Sequence, residues 1–479
     1  MIKPTNVLPL QATRPARAGS KRHPMSLAMS PARRSLFSLA LTTGLAGVLG
    51  ACTADAEDVR PTEADLFFPT GIVVAPDDSV AFVVNANSEL RYDSGTISVL
   101  ELATVDEVVA AWTGAGAVPE GCEQDLDRTE TLTCDESLFI RQRAGVRIGN
   151  FATDVALQDL GEGRLRLMIP TRGDPSITWA EWDGSRLQCS ASGDGGFGQC
   201  DGEHRLSFLL NDADQPGLPE EPFSVHADSA GEYAIVTHLS NGAVTLVDSP
   251  KTGEVRIADV LTGVFGADPL TGQRGATGVV GRPSSGPGIV YVGSRSEDRV
   301  QTFTVGRPVN NAAPFLLPGS WFFLETVGEA SGGESTDTRG MAFSPDGSRL
   351  YLVNRRPPSL QILDTTISDA GYPLNKPIGA TDICRQASTV TLAGTGDDER
   401  AYVTCFQDGQ VYVVDPRGAV SVEDILLVGR GPYATASART RNKLLVTNFL
   451  EDTVAVIDIA PGSPTRNRVV LRIGKPRAL

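Results

Sequence analysis

Leu350-Tyr-Leu-Val-Asn354 and Leu360-Gln-Ile-Leu-Asp364 are two apolar runs joined by a polar turn, and Gly340-Met-Ala-Phe-Ser-Pro-Asp-Gly347 stands directly before them. A strand buried on one side alternates apolar with polar, but the first run is apolar at every interior position, so it belongs between two neighbouring sheets. Pro345 presets a turn that Asp346-Gly347 completes, which makes the preceding segment a strand feeding a hairpin. Working outward, the same unit recurs. Ala81-Phe-Val-Val-Asn85 precedes Thr96-Ile-Ser-Val-Leu100, and Tyr233-Ala-Ile-Val-Thr-His238 precedes Val244-Thr-Leu-Val-Asp248. Val290-Tyr-Val-Gly-Ser294, Ala401-Tyr-Val-Thr-Cys405 and Leu444-Leu-Val-Thr-Asn448 lead to Val300-Gln-Thr-Phe-Thr-Val305, Val411-Tyr-Val-Val-Asp415 and Val454-Ala-Val-Ile-Asp458. A weaker copy, Leu167-Met-Ile-Pro-Thr171 with Ile177-Thr-Trp-Ala180, makes seven; its Pro170 cannot donate a ladder hydrogen bond, so irregular pairing is expected there.

A less apolar outer strand, such as Arg468-Val-Val-Leu-Arg-Ile473, follows the second run. Four strands per unit and a period of roughly 43 residues predict an all-β, seven-bladed β-propeller of four-stranded antiparallel blades. An eighth blade within Val105–Asn150 is the alternative; that stretch reads instead as an outer strand with polar loops. Long insertions fall at 113–150 and 189–214.

Leu-Val-Thr-Asn, Tyr-Val-Thr-Cys and Phe-Val-Val-Asn, with Pro69-Thr-Gly-Ile72 and Ala75-Pro-Asp77 ahead of the first, resemble the YVTN-repeat β-propellers, a superfamily neighbouring the lactonase-like and quinoprotein-like propellers. The resemblance covers Phe67 to Ile473. It implies the fold, while the residues that carry it are structural ones and imply no activity.

The amino terminus reads as an address. Arg33-Arg34-Ser35-Leu36-Phe37 precedes a short apolar run ending in Leu49-Gly50-Ala51-Cys52, the layout of a secretory signal. Leu-Gly-Ala-Cys resembles the lipobox of bacterial lipoproteins, which implies lipidation of Cys52, and the paired arginines resemble a twin-arginine signal. The expected organisation is a signal over 1–51, a lipidated linker over 52–64 and the propeller over 65–479. Thr53 after the cysteine points to the outer membrane. Seven cysteines are an odd number; setting Cys52 aside leaves Cys122, Cys134, Cys189, Cys200, Cys384 and Cys405, where proximity favours disulfides 122–134 and 189–200 and leaves 384–405, in an oxidising compartment.

Beyond residue 51 the chain carries 35 basic against 58 acidic residues, which disfavours nucleic acid as a partner. A monomer attached to the membrane through its lipid is expected. No CxxCH, GxSxG, P-loop or HExxH occurs, so no catalytic residue, cofactor or metal site is assigned. Arg172-Gly173-Asp174 reads as a tight turn, and Asp212-Ala-Asp214-Gln-Pro-Gly217 lacks the bidentate Glu of a calcium loop. Propellers present ligands where the innermost strands begin and the second strands end. The positions mapping there are Asp154, Arg172, His238, Arg295, Arg339, Asn354, Arg355, Arg356, Tyr433 and Asn448. Five arginines on one rim suit an anion, with Arg339 at the centre and Arg355 and Arg356 farther out. His226 and His238 are weaker candidates for a base. The expected function is non-catalytic binding of a protein, peptide, glycan or small anion in the cell envelope. The alternative is a lactonase-like or quinone-cofactor enzyme, whose rim residues find no residue-by-residue match here.

Overall fold

A computed structural model describes residues 59–189, 197–200, 202–208, 216–228, 232–268, 271–283, 288–309, 313–324 and 337–477. Seven antiparallel sheets follow one another along the chain, each entered at its innermost strand and left at its outermost. The innermost strands are Pro69–Val74, Ala156–Gly161, Pro222–Ala227, Ala276–Gly281, Thr338–Phe343, Ala387–Ala393 and Pro432–Ala438, for blades 1 to 7. The seventh blade is built wholly from Pro432–Ile473, and the eighth-blade alternative falls away.

The apolar second strands behave as their sequence demands. In blade 5, Leu350 and Leu352 pack toward blade 4 with Tyr291 and Val300, while Tyr351 and Val353 pack toward blade 6 with Val403 and Val414. Equivalent clusters fill the other interfaces, so each second strand serves two cores at once. The recurrent tyrosine also ties blades together. The hydroxyls of Tyr291, Tyr351 and Tyr402 donate to Asn375, Glu399 and Asn467 of the following blade at 2.8, 3.0 and 3.1 Å.

The insertion in blade 1 differs from the expected strand and loops. Leu102–Ala115 is an α-helix whose Leu102, Val105, Val108 and Val109 share one buried face, and Gly116 ends it in the left-handed region (φ 65°). A hairpin of Cys122–Gln124 and Leu132–Cys134 follows. It crosses to blade 7, where Leu132–Cys134 pairs in parallel with Leu471–Ile473 and extends that sheet to six strands. The Cys122–Cys134 disulfide staples the hairpin, Thr131 donates to the Val469 carbonyl at 2.6 Å, and Arg472 meets Asp125 at 3.0 Å. Blade 1 thus reaches outward over blade 7 and closes the ring. A second tie lies at the mouth, where the Phe68 ring is held between the Arg91 and Arg477 guanidiniums and its amide donates to Asp452.

The Cys189–Cys200 and Cys384–Cys405 disulfides are formed as expected. Cys52 and residues 209–215 of the acidic loop lie outside the described residues.

Candidate functional site

One structural device repeats at the start of every innermost strand. In blade 5, Thr338 pairs with Asn354 and Met341 with Leu352, which leaves one residue too many between them: a β-bulge. The same single-residue slip occurs in blades 1, 3, 4, 6 and 7, and in blade 2 between the Ala152–Thr171 bridge and the Ala156–Met168 pair. The irregularity opposite Pro170 is therefore general to the blades, with Pro170 tolerated there because that edge of the ladder is already broken. Aligning the bulges gives seven tetrads: Pro69-Thr-Gly-Ile72, Ala152-Thr-Asp-Val155, Pro222-Phe-Ser-Val225, Ala276-Thr-Gly-Val279, Thr338-Arg-Gly-Met341, Ala387-Ser-Thr-Val390 and Pro432-Tyr-Ala-Thr435.

Where the third position is glycine, the next blade presses on it. A Cβ on Gly278 would meet the Arg339 carbonyl, and one on Gly340 the Thr389 backbone. The second position divides the blades. Thr70, Thr153 and Thr277 donate to the carbonyls of Ala152, Phe223 and Thr338 of the following blade and act as clamps. In blades 3, 6 and 7 a threonine across the bulge, Thr237, Thr404 or Thr447, holds the blade's own backbone. Their hydroxyls take the amides of Ser224, Thr389 and Ala434 at 3.2, 2.9 and 3.0 Å. The released second positions, Phe223, Ser388 and Tyr433, face the channel mouth together with Arg339. Blade 5 has Arg339 opposite Val353, with a hydroxyl at neither place.

A second ring comes from the residue immediately after each second strand's polar end: Ala86, Arg172, Leu239, Arg295, Arg355, Phe406 and Phe449. Four of them, Arg172, Leu239, Arg355 and Phe406, line the same cavity of about 320 Å³.

Of the ten residues expected at the rim, Asp154, Arg172, Arg339, Arg355 and Tyr433 converge on this cavity. The other five do not line it. His238, Asn354 and Asn448 are sealed ends of second strands. His238 bonds Thr245 Oγ1 at 2.8 Å and the Glu220 carbonyl at 3.0 Å; Asn354 accepts from Thr338 at 3.0 Å; Asn448 donates to the Val428 carbonyl and Thr453. Arg295 donates to the Arg274 carbonyl and Arg356 to the Arg295 carbonyl, just outside the cavity. Arg355 is not farther out, as its loop position suggested, but part of the wall. Arg172-Gly173-Asp174 is a turn whose charges meet Glu221 and Arg205. His226 lies against Gly281 of blade 4, away from the mouth.

Charge is unevenly satisfied around the wall. Arg339 pairs with Asp337 at 2.7 Å and lies over the Phe223 ring at 5.5 Å, and Arg172 pairs with Glu221. Arg355 donates only to the Ala387 carbonyl at 2.7 Å and Ser388 Oγ at 3.1 Å, and among the described residues it forms no salt bridge. Burial, and after it the neighbouring Arg339 cation, push its pKa down to about 10. Asp154 lies deep, accepting from Ser224 Oγ at 2.5 Å and the Val225 amide at 3.0 Å, and burial raises its pKa. Burial likewise raises that of Tyr433. Such a wall can hold an anion without any further group.

The sequence signal for the missed residues was present: Phe223, Ser388 and Phe406 emerge once the tetrads and the strand ends are aligned blade against blade.

No family model and no curated protein matches the chain. Solved structures do. A candidate 6-phosphogluconolactonase from Bacteroides fragilis is 12% identical, with 87% of this chain and 99% of that chain covered and a TM-score of 0.51. Hydrazine synthase from Kuenenia stuttgartiensis is 11% identical, covering 83% and 97%, with a TM-score of 0.50. The Cps50 (Swd1) β-propeller domain of Myceliophteria thermophila is 9% identical, covering 84% and 99%, also at 0.50. The likeness is one of fold, shared by proteins whose names point to unrelated roles.

Proposed function

We propose that this chain is an exported, lipid-anchored propeller that binds a small organic anion, without catalysis, in the cavity at its channel mouth. The observation that carries the reading is Arg355. A partly buried guanidinium held only by neutral acceptors, beside a second cation, is unfavourable unless an anion completes it. Among the described residues Arg172, Arg339 and Arg355, with Arg295 beside them, face Glu221, Asp337 and the deep Asp154, so the cations outnumber the carboxylates on an otherwise acidic protein. A cavity of about 320 Å³ suits a small molecule better than a folded partner. Three disulfides that account for every cysteine but Cys52 support the oxidising compartment implied by the leader.

Titration calorimetry and thermal shift with acetate, succinate, gluconate and inorganic phosphate test the reading. At least one should bind, more weakly as salt rises, and Arg355→Gln should weaken it by about 1.5–3 kcal/mol, the worth of a charged hydrogen-bonded contact. Binding that is indifferent to Arg355, or absent throughout, would overturn it.

A further inference from the structure

The two rings around the mouth are unlike on their two sides. Blade 5 supplies a cation to each, Arg339 to the inner ring and Arg355 to the outer. Blades 6 and 7 supply aromatic rings: Phe406 and Phe449 to the outer ring, Tyr433 to the inner. These three rings meet one another with centroids 6.0–6.2 Å apart, and Phe68 continues the cluster at 5.4 Å from Phe449. Phe406 and Tyr433 lie on the cavity wall itself.

In most other blades the inner position carries a hydroxyl side chain, as in Thr70, Thr153, Thr277 and Ser388, and the outer position holds alanine, leucine or arginine. Neither aromatic is required by the bulge. Thr404 and Thr447 already serve the backbone there, so Tyr433 is not needed as a clamp. Water in such a cavity would face cations at one end and ring carbon at the other. A ligand composed only of polar groups would leave the aromatic side without a partner, whereas burying an apolar body there is favourable by about 25 cal/mol per Å².

Resting on the anion-binding reading above, we infer that the ligand is amphipathic: a carboxylate seated at Arg339 and Arg355 of blade 5, joined to an apolar body of about one ring that packs on Phe406 and Tyr433. The polyhydroxy acids are then poorer ligands, because they bring no apolar surface to the Phe406 and Tyr433 rings.

Calorimetric titration of the whole exported chain with benzoate, cyclohexanecarboxylate, acetate and gluconate reads this directly. Benzoate and cyclohexanecarboxylate should bind at least tenfold tighter than acetate or gluconate. Phe406→Ala should erase most of that margin, and Arg355→Gln should weaken all four. Gluconate binding as tightly as benzoate, with loss in Arg355→Gln, would overturn the amphipathic ligand and leave the anion site standing. Tight benzoate binding untouched by Phe406→Ala would place the apolar body elsewhere and overturn it equally. If none of the four binds, the anion reading fails with it.

Discussion

Asn354 and Arg355 are neighbours in the chain and opposites in the fold. Asn354, next to last in the second strand of blade 5, is wholly buried and accepts from Thr338. Arg355 closes that strand, lines the cavity and, among the described residues, donates to neutral acceptors. The pattern repeats around the ring: His238 is sealed and Leu239 is presented, Cys405 is sealed in a disulfide and Phe406 is presented. The repeat signature therefore marks the positions that hold the blades, and the residue one step beyond it is where blades are free to differ. The tetrads divide in the same way, with threonine clamps in some blades and presented side chains in others.

The largest effect expected from breaking this division lies in the sealed ring. His238 occupies the place that blades 1, 5 and 7 give to asparagine, and burial holds its pKa near 4. A neutral native imidazole means that the unfolded chain binds more protons once the pH drops below 6.5. Stability present above that pH is lost progressively down to about 4, on the order of 3 kcal/mol for such a shift. His238→Asn should flatten the fall, leaving the share of His226, whose burial has the same consequence; denaturant melts at pH 7 and pH 4.5 measure it. An unchanged slope would mean that His238 is not sealed as described. A smaller effect is expected at a clamp. Thr277→Val removes the bonds to the Thr338 and Gly293 carbonyls and should lower stability by about 1 kcal/mol or somewhat more. Anion affinity should not move, because Thr277 faces the next blade and not the cavity.

Much of this arrangement could be read before any coordinates. Second strands that serve two cores must be apolar on both faces, and that demand is visible in Leu350-Tyr-Leu-Val and its copies. Arg172, Arg339, Arg355, Asp154 and Tyr433 were placed at the mouth because strand starts and exits fall there in any propeller. The errors have physical causes. His238, Asn354 and Asn448 lie one residue too early: a polar residue at a strand end looks available in sequence, but its partners come from the following strand and the incoming loop for His238 and Asn448, and from the innermost strand for Asn354. Phe223 and Phe406 are not singled out by composition, which does not distinguish a ring facing a cavity from one facing a sheet. Leu102, Val105 and Val109 do carry helical spacing, which the strand reading of that insertion passed over. The pairing of Leu132–Cys134 with Leu471–Ile473 joins segments far apart in the chain and leaves no local trace.

Adjacent residues divide the work, one holding the blade and the next, on the proposed function, holding the ligand. Measuring both the denaturation midpoint and the affinity for one bound anion in Asn354→Ala and Arg355→Gln tests it most directly. The account predicts a crossover. Asn354→Ala loses about 1–2 kcal/mol of stability through the unmet Thr338 hydroxyl and keeps its affinity, while Arg355→Gln stays within about 1 kcal/mol of the parent and binds at least tenfold more weakly. Equal losses of both properties in both variants, or an Arg355→Gln protein that is destabilised yet binds as before, would contradict it.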